Sequence, residues 1–156
     1  MTELNVEGLE VELRSLLLNG FDYDFAWLLG SRLRDAAVEL GAPVAIEVRH
    51  GPDVVFATLV PGATIDNFDW TRRKCAVAYR FHKSSLAVRL EAQGANYDFN
   101  ARFRLPPAEY AASGGGFPLI LNGGTLVGSV GVSGLPDIED HMLITSTLRT
   151  LVGTQS

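Results

Sequence analysis

"LVGSVGVSGLPDIEDHM", residues 126–142, decides how this chain is read. Its first half alternates small and β-branched residues with the period of a strand. Its second half carries apolar positions at helical spacing. Asp137 is placed to cap that helix with Ile138 as its first residue, and Glu139 and Asp140 lie favourably against its dipole. Counting onward, Ile138, Met142, Ile144, Leu148, Leu151 and Val152 gather on one side, with His141 at the centre of that face. The stretch is a strand turning into a helix.

Three phosphate or nucleophile motifs fail against it. A P-loop needs a Gly-Lys-Ser/Thr that the chain lacks, and 128–134 gives G-x-x-G-x-x-G where a dinucleotide fingerprint needs G-x-G-x-x-G. The nucleophile elbow G-x-S-x-G fails because Ser133 is followed directly by Gly134. A metal site drawn from Cys75, His82 and His141 is also disfavoured, since seven residues of helix separate the first two by about 10 Å. What remains is steric. Gly128 and Gly131 fall on opposite faces of the strand and, with Gly114, Gly115 and Gly116, permit close approach by a helix, another chain or a flat ligand. His141 is either a hydrogen-bonded core imidazole or a pocket-lining one.

Outward from this corner, residues 6–18 and 22–43 read as helices. The second carries an apolar stripe of Phe25, Leu28, Leu29, Leu33, Ala36 and Leu40, and stops at Gly41. Strands are expected at 44–49 and 54–60 around an "HGPD" turn, the second buried on both faces. A long helix follows, capped by Asp66 and interruptible at Ser84-Ser85. Phe68, Cys75, Tyr79, His82, Leu86 and Leu90 line one side of it, and Trp70, Val77, Phe81 and Val88 the other. A helix apolar on two sides is sandwiched, either within one chain or against a second copy. "YDFNARFR" at 97–104 alternates like a strand, "PPAEYAAS" reads as a turn of helix, and "FPLIL" and "LVGSVGV" pair through "NGGT".

The 156 residues are 47% hydrophobic and 20% charged, with net charge −5, and no repeat or linker divides them, so one domain over 1–156 is expected. A mean hydropathy of +0.14 leans towards a homo-oligomer, and a pI of about 5.1 gives a nucleic-acid partner no support. The basic cluster Arg72, Arg73, Lys74, Arg80 and Lys83 reads as a solvated helix flank. A single cysteine, an acidic N-terminus and no membrane-length apolar run point to a cytoplasmic protein without a membrane partner.

"DNFDWTRRK", "RFHKSS", "GGGFPLIL" and "LVGSVGVSGLPDIEDH" together resemble the haem-degrading-domain (GlcG/HbpS-like) superfamily, in its uncharacterised bacterial and fungal branch. The resemblance implies an α+β, profilin-like fold: a five-stranded antiparallel sheet with helices on both faces. It also implies a symmetric oligomer and haem or a related tetrapyrrole as ligand. A pocket is then expected from Gly114, Gly115, Gly116, Ser133, Gly134 and Asp140, with His141 facing it and His141 or His82 available as an axial ligand. A different class of protein is a non-catalytic assembly or adaptor using the Trp70/Val77/Phe81/Val88 stripe as its interface. A third reading is acid–base chemistry by Asp140 and His141 on a small carboxylate.

Overall fold

The hairpin expected at 44–60 is the start of the sheet. In a computed structural model describing residues 2–153, β1 (Ala45–His50) and β2 (Asp53–Leu59) pair antiparallel around Gly51, whose φ is 56°. β3 (Gly116–Ile120) and β4 (Leu126–Ser133) form a second hairpin, and β4 lies antiparallel to β1, giving the order β2-β1-β4-β3. β2 is therefore an edge strand, and it is half-buried to exposed rather than covered on both faces.

Four strands stand where five were expected, and the sheet is not the profilin-like one. Residues 97–104 are not a strand: Phe99–Phe103 forms a short helix, α5. Asp98 accepts a hydrogen bond from the Ala101 amide at 2.9 Å, and Asn96 and Arg104 adopt left-handed φ of 56° on either side. The Phe99/Phe103 spacing suits one helical face as well as alternate strand positions, and that face meets Phe81. The outer edge of β3 is instead met by Leu18, in a parallel bridge to Leu121. Leu18 has left the first helix, α1 (Val6–Ser15), which ends three residues before the expected stop.

α2 (Tyr23–Leu40) is capped by Asp22, which accepts from the Phe25 amide at 2.7 Å, and it ends at Gly41 with φ 67°. Its buried stripe is Ala26, Leu29, Leu33 and Ala37, about a sixth of a turn from the expected one, so Leu28 and Leu40 face outward. α3 (Ile65–Phe81) starts at Thr64, two residues before the expected Asp66 cap. The Thr64 amide donates to Asn67 Oδ1 at 2.9 Å. The long helix does break: His82 turns left-handed with φ 58°, and Ser84 caps α4 (Ser85–Gly94). α6 (Asp137–Val152) begins after Pro136, so Asp137 is its first residue and not its cap.

Strand alternation gives the sheet two unlike faces. Ile46 and Val48 of β1, Phe117 and Leu119 of β3, and Val130 and Val132 of β4 pack with Leu29 and Leu33 of α2 and with Ile144 and Leu148 of α6 in the main core. The opposite face presents Glu47 and Arg49, Ser129, Gly131 and Ser133, and Gly116. A side chain at Gly131 would lie 2.7 Å from Cys75 Sγ, and one at Gly116 would lie 2.4 Å from the Lys74 carbonyl, so α3 rests directly on this face. A second apolar cluster of Val77, Val88, Ala92, Phe99 and Leu105 covers the outer side of α3.

Candidate functional site

The corner of the opening stretch is closed by an ion pair. Lys74 Nζ of α3 lies 3.1 Å from Asp140 Oδ2 of α6 and donates to the Val132 carbonyl at 3.2 Å, and both side chains are buried. Asp140 Oδ1 accepts from the Leu135 amide at 3.0 Å. The link joins helices on opposite faces of the sheet around the ends of β3 and β4. Gly115, at φ 123°, makes room for it: a Cβ there would sit 2.9 Å from Lys74 Nζ and 2.3 Å from the Val132 carbonyl oxygen. At Gly114 the neighbour is the Asp137 carbonyl at 2.4 Å, and at Gly134, φ 149°, the Pro43 carbonyl at 2.3 Å. The missing side chains are thus replaced by the chain's own atoms. Ser133, Gly134 and Asp140 do meet, joined by Lys74, Asn67 and Trp70, but around a shallow depression of about 320 Å³ that His141 does not line.

His141 faces Glu12 of α1. Its Nε2 is 2.7 Å from Glu12 Oε1, both side chains are buried, and the Phe117 ring lies 6.1 Å away. Thr2 donates to the other Glu12 oxygen at 2.9 Å, and Arg149 stands 3.6 Å from it. Burial pushes the Glu12 carboxyl upward, but the hydrogen bond and charge of His141, with Thr2 and Arg149, bring it below its ordinary value. Asp140 moves the other way: burial outweighs Lys74 and two backbone amides and lifts it to about 6. The neighbours Asp140 and His141 therefore serve two separate pairs, each tying α6 to a different helix.

The stripe proposed as an interface is largely covered by its own chain. Val77 and Val88 are buried in the cluster with Phe99 and Leu105, and Phe81 stacks edge-on against Phe99 and Phe103. Trp70, 37% exposed, carries the Arg73 guanidinium 4.0 Å over its ring.

A larger pocket opens on the α3 face of the sheet, between α3 and the β1–β2 turn. Its volume is about 690 Å³, within the range of small-molecule sites. Tyr79 and Tyr110 supply rings, Arg49, Arg72 and Arg80 cations, and exposed His82 an imidazole, while Cys75 and Ser129 lie along its sheet side. Burial, reinforced by the Glu47 charge, pushes the Cys75 thiol up to about 12, so it is a neutral thiol at physiological pH. The Ser129 hydroxyl is buried without a conventional hydrogen-bond partner, with the Cys75 thiol beside it. Of the sequence candidates, His82 alone lines this pocket. The others were legible as the Cys75/Tyr79/His82 stripe and as the basic cluster, but the β1 and β4 contributions needed the sheet register. Among the described residues no group of three or more His, Cys, Asp or Glu side chains is arranged to hold a metal ion, and no helix is long and apolar enough to cross a membrane.

This donor set fits a haem-like group on chemical grounds: flat rings for the macrocycle, guanidiniums for carboxylates, and an accessible imidazole. Fold and sequence agree on the class. The sequence model of the haem degrading protein HbpS-like family matches residues 21–149, and the chain belongs to that family. Within it, the chain is 43% identical over 150 residues to a UPF0303 protein of Burkholderia mallei, covering 96% of this chain and 91% of that one. Among solved structures, the Ybr137w protein superposes with a TM-score of 0.88 at 28% identity, over 96% of this chain and 90% of that one. The PduOC–haem complex shares the fold, with a TM-score of 0.73 at 18% identity over 88% of this chain and 99% of that one.

Proposed function

We propose that this protein binds haem or a related tetrapyrrole in the pocket between α3 and the β1–β2 turn. The observation that carries the reading is that Tyr79, Tyr110, His82 and three arginines converge on one cavity of about 690 Å³. The family membership and the haem complex of PduOC support the ligand class. In this reading His82, held at the left-handed end of α3, stands at the rim as the imidazole available to the metal. His141 is excluded from that role by its buried bond to Glu12. The guanidinium side of the cavity would receive the carboxylates. Haem, when bound, would supply the iron, and the chain's own part would be to hold the macrocycle beside the Tyr79 and Tyr110 rings.

Titrating the purified protein with haemin tests this. A shifted Soret band at micromolar haemin is expected, with its position changed in His82→Ala and retained in His141→Ala. A wild-type protein that leaves the haemin spectrum unchanged overturns the proposal. A spectrum altered by His141→Ala but not by His82→Ala returns the site to the 126–142 corner.

A further inference from the structure

Charge accounting around the pocket leaves one cation over. Arg49 pairs with Glu47 at 2.6 Å and donates to the Pro52 carbonyl at 2.7 Å. Arg72 bonds Asp69 at 2.6 Å, Glu109 at 2.8 Å and the Ala108 carbonyl at 3.0 Å. Arg73, just outside, bonds Asp69 at 3.0 Å and the Pro107 carbonyl at 3.3 Å. Three guanidiniums therefore face three carboxylates, Glu47, Asp69 and Glu109. Among the described residues Arg80 has no carboxylate partner. Its guanidinium stands 6.0 Å from the ring centroids of Tyr110 and Phe81, and no side chain or carbonyl among the described residues accepts a hydrogen bond from it.

We infer that Arg80 is the anion anchor of this pocket and that the ligand presents one carboxylate to it. This rests on the tetrapyrrole reading and narrows it. Recognition runs through one carboxylate of the macrocycle, so metal-free tetrapyrrole acids are bound too, and their neutral esters bind about tenfold or more weakly. A charge-assisted guanidinium–carboxylate bond amounts to about tenfold in affinity. The other three guanidiniums add little, because each would have to leave a carboxylate it already holds.

The test uses fluorescence titration of wild type and Arg80→Ala with protoporphyrin IX and with its dimethyl ester. Arg80 is exposed, so the variant is expected to unfold at the same temperature as wild type. The expected result is that wild type binds the free acid about tenfold or more tightly than the ester, and that Arg80→Ala brings the acid down to the ester's level while leaving the ester unchanged. Ester and acid binding alike to wild type overturns the anchor and leaves tetrapyrrole binding standing. An acid preference that survives in Arg80→Ala assigns the carboxylate to another residue and also overturns it. A wild-type protein that binds neither porphyrin overturns the tetrapyrrole reading, and the anchor with it.

Discussion

On one face of the sheet Ile46, Val48, Phe117, Leu119, Val130 and Val132 meet α2 and α6 in an apolar core. On the other, Glu47, Arg49, Ser129 and Gly131 lie beneath α3, with polar groups, a buried thiol and a cavity between them. The same strands build both, because a period of two sends alternate residues to opposite sides. The difference teaches where stability and recognition reside. The apolar face removes large side chains from water, while the α3 face keeps short or charged side chains that cannot fill the space beneath one helix. A cavity with polar walls is the consequence. At the end of the sheet the two faces are joined by the Lys74–Asp140 pair, which needs glycine at 115 to pass.

Truncating the core face should have the largest effect. Phe117 is 1% exposed, and Phe117→Ala is expected to cost about 4 kcal/mol in urea unfolding. A loss below about 1 kcal/mol would mean that the core repacks and that the contrast between the faces is weak. Lys74→Met comes next, at about 3 kcal/mol, because it leaves the buried Asp140 without its cation. Adding Asp140→Leu should recover much of that loss; no recovery would show that the pair's geometry, and not its charge balance, holds the corner.

The pH dependence of the same corner sharpens the comparison with Glu12. Burial raises Asp140 from 3.8 to about 6, so the folded state holds this proton more tightly than the unfolded chain. Its contribution to stability is fully present below about 3.8 and is lost as pH rises through about 6. Glu12, lowered, contributes in the opposite sense: its share is present at neutral pH and is lost as the carboxylate is protonated. Asp140→Asn should therefore remove a downward slope in stability between about pH 4 and about pH 6, leaving the Glu12 trend visible. Parallel stability curves for wild type and variant would contradict this. The smallest effect is expected on the α3 face. Gly131→Val forces a side chain to within 2.7 Å of Cys75 Sγ and should cost about 2 kcal/mol by differential scanning calorimetry, since α3 can lift slightly over the cavity beside it.

Much of the fold could be read from local pattern. The two hairpins, the Gly41 stop and the strand-to-helix turn at 126–142 each depend on residues a few positions apart. The stretch 97–104 misled because Tyr97, Phe99 and Phe103 satisfy an alternating pattern and a helical one alike. The Asp98 cap and the Phe81 ring decide between them. The glycines at 114–116 were rightly singled out as places where something approaches closely, but their sequence does not say that Lys74 and the Asp137 carbonyl are what approach. His141 was legible as a buried, hydrogen-bonded imidazole, but its partner was not, because Glu12 stands 129 residues away.

By itself, the sequence determined the periods, caps and turns, and it placed an imidazole inside the last helix and a cluster of cations along the middle one. Those are properties of neighbours along the chain, set by backbone sterics and by short-range hydrogen bonds. The tertiary structure alone decided which charges cancel. Glu109 reaches Arg72 and Asp140 reaches Lys74, while Arg80 is left facing a cavity. Electrostatic pairing depends on distance through space and on the water excluded between partners, and neither is encoded in spacing along the chain.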